Sequence, residues 1–448
     1  MSVAVEPAGD DDAVALIDAG DGSILTHGAL RRAVDRRAES WGNHRGAVAL
    51  LGITASTQSV IDLLALQRAG VTTLLVDPAS KVDRIAAWSA AYRPDVVVGL
   101  GAADRSDAVV ERGPQREAIL LPTSGSTGSP KFVRLTASNV EANAHQIATA
   151  LRIGPGARTF AHLPLFYSYG LSVLTSHLIA GASVVLSTAS AIRPEFWDAV
   201  EAHRVTSLPG VPYSYEIYRR TDFGGRALPH LTDLTQAGGR LDPAHVVALH
   251  ERMAAQGGRM WVMYGQTEAT ARIAVLPPEE LPARVGGVGR ALPASTVSVV
   301  DPDHDGVGEI VVDGPQVMLG YAECRDDLDG SDRLGGTLHT GDLGSVDDDG
   351  WIRVTGRTKR MAKVFGTRVS LDDVEAALAD LGRVVAVDDG DGVIVVIESE
   401  SVPAGIERNI ERRLGFPPRS VRVHAFAAIP RTAAGKPDYA EVRARCHR

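Results

Sequence analysis

The first quarter of the chain alternates short apolar runs with stretches of helical period. Val48-Ala-Leu-Leu-Gly52, Thr72-Thr-Leu-Leu-Val-Asp77 and Val96-Val-Val-Gly99 read as strands, and Val60-Ile-Asp-Leu-Leu-Ala-Leu66 as part of an intervening helix. Strand–helix–strand succession of this kind predicts a mostly parallel sheet with helices on its faces. Ala118-Ile-Leu-Leu121 and Phe132-Val-Arg-Leu135 are two further apolar runs separated by hydroxyls and glycines, which predicts a hairpin. Ser138 and Glu141 have the spacing of a capping box and predict a helix to about Leu151. Ala180–Leu186 predicts a strand, and Pro194 sits where a helix can begin. A later helix has both punctuation marks, Asp242 as N-cap with Pro243 behind it, and Gly257 past the end. Trp261-Val-Met-Tyr264 reads as another strand.

From about residue 285 the pattern shortens to small strands with Asp/Gly turns, as in Asp301–Gly306 and Asp347–Gly350, which predicts a small β-barrel-like subdomain over about 285–356. A basic stretch without apolar period, Arg357 to Lys363, follows. Beyond it Leu371–Leu381 predicts a helix and Val393–Ile397 a strand. The expected fold class is therefore α/β. A large N-terminal domain (1–356) of mixed and parallel sheets flanked by helices carries the β subdomain, a hinge falls at 357–361, and a small mobile α+β domain occupies 362–448.

Composition narrows the function. At 448 residues with 44% hydrophobic and 23% charged positions, two or three domains with ordinary cores are expected. A formal net charge of −9 disfavours nucleic acid or an anionic membrane as partner. No apolar run approaches the ~18 residues of a membrane span, and the first residues lack the basic and apolar regions of a signal peptide. Cys324 and Cys446 have neither metal nor redox spacing and read as free thiols. A cytoplasmic protein is the expectation.

The candidate chemistry begins in the predicted hairpin. Thr123, Ser124, Gly125, Ser126, Thr127 and Gly128, followed by Lys131, place four hydroxyls, two glycines and a cation between two strands. Hydroxyls and successive backbone N–H groups of such a turn form a concave anion site, to which lysine adds charge. A Walker loop is excluded because position 130 is proline. The bland alternative, a Ser/Gly linker, fits poorly with apolar strands hard against both ends. Tyr264-Gly265-Gln266-Thr267-Glu268 sets an aromatic face, a hydroxyl and a carboxylate at a strand end, types suited to stacking, phosphate donation and Mg²⁺. Gly238-Gly239-Arg240 is a second strand-end loop, and Asp342 in Thr340-Gly-Asp342 could accept from ribose hydroxyls. Gly356-Arg357 and Pro430-Arg-Thr-Ala-Ala-Gly-Lys436 complete the set. Each of these alone is more often a turn or a solvated loop.

In this order, from Leu121 to Lys436, they resemble the adenylate-forming superfamily of acyl-CoA synthetases, firefly luciferase and peptide-synthetase adenylation domains. The shared motifs are Thr-Ser-Gly-Ser-Thr-Gly-x-Pro-Lys, Tyr-Gly-Gln-Thr-Glu, Gly-Glu-Ile…Gly320-Tyr, Thr-Gly-Asp, Gly-Arg-x-Lys and Pro-Arg-Thr-x-x-Gly-Lys. The resemblance implies that a carboxylate attacks the α-phosphate of Mg·ATP to give an acyl-adenylate, and that a thiol of CoA or of a carrier protein's phosphopantetheine, acting in trans, then displaces AMP. It implies that the 123–131 loop holds the β- and γ-phosphates and that the Gly238–Arg240 and Tyr264–Gln266 segments hold the nucleotide, with Tyr264 on adenine. Thr267 would meet the α-phosphate, Glu268 Mg²⁺, and Asp342 and Arg357 the ribose. Lys359 falls at the family's hinge, and Lys436 would bridge carboxylate and α-phosphate before domain rotation withdraws it.

The acid itself would meet Phe166, Tyr167 and Gly170 of the aromatic turn, and Gly238. That turn, Leu165-Phe-Tyr-Ser-Tyr-Gly170, lacks the aspartate that pairs with an α-ammonium in peptide-synthetase domains, so a non-amino-acid carboxylate is expected. Phe132 stands where the family usually has glycine, and Lys363–Arg368 lacks the paired glycines frequent in CoA ligases. The acceptor therefore stays open between a thiol and a nitrogen nucleophile. A nucleotide-binding regulatory protein without catalysis is the alternative from another class, which the intact Glu268, Asp342 and Lys436 disfavour.

Overall fold

The computed structural model describes residues 5–41, 44–101, 104–106, 117–122, 131–221, 223, 225–358, 360–364, 367–390, 392–432 and 435–447. The expected phosphate loop from Thr123 to Gly128 and the expected hinge residue Lys359 lie outside them. By compactness the chain divides into two units, Met1–Thr296 with Val312–Leu338, and Val297–Val311 with His339–Arg448.

Two sheets organise the first unit. In the seven-stranded sheet, Val48–Gly52 lies between Thr72–Val76 and Val96–Val98, parallel to both. Every position of Val48–Gly52 and Thr72–Val76 is buried, as expected when both faces of a parallel sheet are covered. Glu117–Pro122 continues the sheet and pairs antiparallel with Phe132–Thr136, with Pro122 opposite Phe132. The predicted hairpin is thus formed, its ladder running to the Pro122–Phe132 pair. Phe132 is buried, with Trp88 and Tyr92 edge-on at 5.9 and 5.4 Å. An inward aromatic at this register explains the departure from glycine, and truncating it to alanine would cost about 3–5 kcal/mol.

The nine-stranded sheet sets Arg158–Ala161, Ser207–Gly210, Asp233–Gln236 and Arg259–Tyr264 side by side and parallel. Their carboxyl ends therefore open on one edge, where open α/β sheets gather ligands. The helices Ala137–Ala150 and Ser168–Ile179 contribute Ile147, Tyr169 and Val173 to one core cluster with Trp261 and Met263 of this sheet. The first of them starts earlier than predicted. Its cap is Thr136, whose hydroxyl accepts from Asn139 N at 3.0 Å while Asn139 Oδ1 accepts from Thr136 N at 2.9 Å. Ser138 and Glu141 therefore do not form the capping box. The helix Pro243–Ala255 has the predicted Asp242 cap, with Pro243 in its first turn and Gly257 beyond it at φ 75°.

Thr296–Val300, Gly308–Asp313, Thr337–Val346 and Ile352–Arg357 form an open four-stranded sheet, so the barrel-like closure expected from these short strands is not made among the described residues. Four short strands are too few to curl onto themselves. Farther on, Val384–Asp388, Val393–Glu398 and Val421–Phe426 make a three-stranded sheet. Leu371–Ala377 and Ile406–Leu414 cover it around Val374, Val393, Val395 and Ile410, the expected α+β arrangement. The helix predicted to run to Leu381 ends at Ala377 and continues as a 3₁₀ turn, Ala379–Leu381. No described helix is long and apolar enough to cross a membrane.

Candidate functional site

The strand Arg259–Tyr264 delivers buried Tyr264 to the sheet edge, and the chain then turns sharply. Gly265 is required there, because a Cβ would overlap the Ala271 carbonyl oxygen and stand 2.7 Å from Arg272 Cα. Ile273 N closes the loop by donating to Tyr264 O at 2.8 Å. Within it Thr267–Ala269 form one 3₁₀ turn, and Thr270 holds φ 60°, ψ −62°, its hydroxyl donating to Gln316 O at 2.7 Å. Positive φ is unusual for a β-branched residue and stores roughly 1–3 kcal/mol of strain, a feature concentrated at functional loops.

Around this loop several predicted residues converge. Glu268 Oε1 accepts from Tyr321 Oη at 2.8 Å, and Lys131 Nζ lies 3.6 Å above the Tyr321 ring. The register explains the meeting, since Gly320–Ala322 pairs antiparallel with Phe132–Thr136, placing Tyr321 opposite Val133 and beside the exit of the loop that ends at Lys131. Burial first, then the Glu268 charge, pushes the Tyr321 phenol well up, so it remains a donor at all working pH. Thr267 Oγ1 is 3.2 Å from Ser168 Oγ, which ties the loop to the first turn of the helix Ser168–Ile179. Gln266 Nε2 is buried with no hydrogen-bond partner among the described residues. That orphan donor and the hard carboxylate oxygens of Glu268 suit a nucleotide with its divalent cation.

Other predicted positions of the first unit lie in a second strand-end loop and in the aromatic turn. Gly238 takes φ 83° and Gly239 O accepts from Gln236 Nε2 at 2.7 Å, which shapes the second strand-end loop, while Arg240 is exposed. Phe166 is buried and Tyr167 half-buried, their rings 4.8 Å apart. At Gly170 a Cβ would stand 2.7 Å from Leu163 O, so glycine lets this helix press against the aromatic turn. Behind the turn, a cavity of about 410 Å³ runs between the helices and the sheet, lined by Ile147, Val173, Trp261 and Met263 and by polar Tyr169 and Arg272. That volume falls in the roughly 300–1,000 Å³ range of small-molecule sites.

In the second unit, Asp342 and Arg357 face each other across antiparallel strands, and buried Asp342 Oδ1 accepts from Arg357 Nε at 2.8 Å. Lys436 closes a tight turn. Its carbonyl accepts from Thr432 N at 2.8 Å, Gly435 holds φ 76°, and Arg431 Nη1 donates to Gly435 O at 2.7 Å.

Residues 99–322, the part that contains the hairpin, the aromatic turn and the Tyr264–Glu268 loop, match the AMP-binding enzyme family. This chain belongs to that family. Its AMP-binding relatives include 4-coumarate–CoA ligase 2 of Oryza sativa subsp. japonica, 31% identical over 73% of this chain and 62% of the relative. Sulfoacetate–CoA ligase of Cupriavidus necator is 34% identical over 59% and 52%. Indoleacetate–CoA ligase of Aromatoleum aromaticum is 31% identical over 76% and 70%. The chain thus spans less than two thirds of the first two relatives. As a fold, the AMP-binding chain is similar to o-succinylbenzoate CoA synthetase of Bacillus subtilis, solved with an acyl-adenylate (TM-score 0.78, 22% identity, 96% of this chain and 95% of that one). It is equally similar to ATP-bound MatB of Rhodopseudomonas palustris (TM-score 0.78, 22% identity, 97% and 96%).

Sequence reasoning assigned no role to Tyr321, Ser168 or Arg272. The first lay within the recognised Gly320-Tyr motif and the second within the quoted aromatic turn; Arg272 carried no local signal.

Proposed function

We propose that this AMP-binding enzyme activates a carboxylic acid without an α-ammonium as its acyl-adenylate and then transfers the acyl group to a thiol. A carboxylate oxygen attacks the α-phosphorus of ATP and pyrophosphate leaves. The sulfur of CoA, or of a carrier's phosphopantetheine, then attacks the acyl carbon, AMP leaves and the thiol proton is released. The observation that carries this reading is the convergence of Lys131, Tyr321 and Glu268 on the loop that presents Thr267.

Each residue then has a physical task. Glu268 would hold Mg²⁺, which would offset phosphate charge, and Tyr321 fixes that carboxylate. Thr267 and the Thr123–Gly128 loop donate to phosphate oxygens, and Lys131 supplies a cation at the loop's end. The Gly238–Arg240 and Tyr264–Gln266 segments hold the base, with Tyr264 as the stacking face and Gln266 as a donor. Asp342, already organised by Arg357, accepts from the ribose. Lys436 orients the attacking carboxylate and offsets charge on the α-phosphate; preorganised contacts of this kind act mainly in the transition state. A hinge at Lys359 lets the C-terminal domain withdraw Lys436 before the thiol arrives. The acid enters past Phe166, Tyr167, Gly170 and Gly238 into the cavity. Among the described residues the lining holds a single aspartate, Asp233, already engaged by Arg259 and by Trp261 Nε1 at 2.7 Å, and no other carboxylate to pair with an α-ammonium. The names of the relatives favour CoA as acceptor.

The test is product analysis. With ATP, Mg²⁺ and a panel of acyl and aryl acids, the enzyme is expected to give AMP and a CoA thioester, with an acyl-adenylate detectable by mass spectrometry when CoA is withheld. Formation of ADP and phosphate, or of a thioester without any adenylate, would contradict it.

A further inference from the structure

Arg272 lies only four residues beyond Glu268, is 3% exposed, and lines the cavity. Its Nε meets Met263 Sδ at 3.3 Å, its Nη1 is 3.4 Å from Ala271 O, and its guanidinium carbon lies 4.0 Å over the Tyr169 ring. Among the described residues no carboxylate pairs with it. The other two arginines of the cavity wall are both neutralised, Arg259 by Asp233 at 2.8 Å and Arg152 by Glu279 at 2.5 Å. Burial pushes Arg272 down to about 10, which still leaves it cationic at neutral pH.

A buried cation with a thioether, a backbone carbonyl and the Tyr169 side chain for company, and no carboxylate among the described residues, is under-compensated, since buried charges are ordinarily paired. An aromatic face offsets only about 0.5–2 kcal/mol of that. Yet the position is built with care. Asn143 clamps the Arg272 backbone from both sides, its Oδ1 accepting from Arg272 N at 3.1 Å and its Nδ2 donating to Arg272 O at 3.0 Å. The Tyr169 hydroxyl beneath is held by donating to Thr235 O at 2.8 Å. Tyr169 follows Ser168, whose hydroxyl lies 3.2 Å from Thr267 Oγ1, so the helix that sets the ring against the cation also reaches the Thr267 loop.

We propose that Arg272 is a specificity-determining residue that pairs with a second anionic group on the acid, so that the substrate is a dicarboxylic or sulfonated acid rather than a simple monocarboxylate. This rests on the ligase reading above. The second anion supplies the missing counter-charge, and the reactive carboxylate stays oriented toward Thr267. The apolar remainder of the cavity accommodates the carbon skeleton between or beside the two charges.

The test is pyrophosphate exchange into ATP with matched acids: dicarboxylates from malonate to adipate, the monocarboxylates of equal chain length, and the corresponding ω-sulfonates. A charge-assisted contact predicts that at least one dianion exceeds its monocarboxylate by about 10- to 100-fold in kcat/KM. A sulfonate preferred over the dicarboxylate identifies the sulfo class. Arg272→Met is expected to abolish or invert the preference, and Arg272→Lys to retain part of it. Because Met removes an unpaired charge at similar volume, it is expected to melt no lower than wild type. Monocarboxylates preferred by wild type, or an unchanged ratio in Arg272→Met, would overturn the proposal, as would a lower melting temperature with specificity intact. Absence of exchange with every acid would defeat the ligase reading instead. The anion site is then judged by calorimetric titration of the same dicarboxylates, where binding weakened at least 10-fold in Arg272→Met supports it and equal binding overturns it.

Discussion

The phenolic hydroxyl of Tyr321 donates to the carboxylate of Glu268 at 2.8 Å. The bond links segments built on different sheets of the first unit, since Tyr321 lies on the strand paired with Phe132–Thr136 while Glu268 sits in the 3₁₀ turn that follows the strand Arg259–Tyr264. Their bond aims the proposed Mg²⁺ ligand, and Lys131 lies over the same Tyr321 ring.

Replacing Tyr321 by phenylalanine removes this donor while keeping the ring that Lys131 covers. Loss of one charge-assisted hydrogen bond of about 1.5 kcal/mol predicts roughly a tenfold fall in exchange at limiting Mg²⁺, largely restored at high Mg²⁺. Titrating Mg²⁺ against exchange rate in both proteins checks it. A defect independent of Mg²⁺, or a large drop in melting temperature, would make Tyr321 a packing residue.

Asp342 is buried and already receives Arg357, whose side chain is half-exposed. Asparagine keeps an oxygen to accept from Arg357, which can also turn to solvent, so stability should change little, whereas a lost ribose acceptor raises the KM for ATP about tenfold. Asp342→Asn is expected to show that rise with kcat little altered. It is also expected to discriminate poorly between ATP and 2′- or 3′-deoxy-ATP, which wild type is expected to distinguish. Equal discrimination by both proteins would remove Asp342 from the ribose site.

Much of this was legible in the chain. The parallel core around Val48–Gly52 announced itself by unbroken apolar runs, and the helix Pro243–Ala255 by its Asp242 and Gly257 punctuation. The motif residues were found as short local patterns. What escaped were relationships between distant segments. Tyr321 meets Glu268 across 53 positions, and the cavity joins a helix near residue 170 to strands beyond residue 259. Arg272, flanked by alanine and isoleucine, has no sequence mark of a buried cation, because its burial depends on Asn143 and Tyr169. The misplaced capping box had a local cause. Thr136 serves both as the last strand residue and as the cap, a double use that periodicity does not reveal.

Acid should weaken the first unit before its carboxylates titrate. Burial pushes His162 and His177 down to about 4, while carbonyl oxygens of Pro209 and Val173 at 2.8 Å accept from the neutral rings. The unfolded chain takes up these protons below about pH 6.5 and the folded one does not. Stability is therefore complete above about pH 6.5 and is lost as pH falls toward about 4, on the order of 2 kcal/mol per histidine by pH 5. Denaturant unfolding at pH 7.5 and 5.0 measures the loss. It should shrink in His177→Asn, which keeps a donor near the Nδ1 position, and an unchanged loss in that variant would place the acid sensitivity elsewhere.

The account stands or falls on acid activation by ATP with Lys436 as its cation. The most direct measurement follows both half-reactions in wild type and Lys436→Ala, as acid-dependent pyrophosphate exchange without acceptor and as single-turnover transfer from supplied acyl-adenylate to CoA. Wild type is expected to exchange in the presence of Mg²⁺ and acid, and the variant to exchange ~10²–10³ times more slowly while transferring near the wild-type rate. No exchange with any acid, or equal loss of both half-reactions in a stably folded variant, would contradict it.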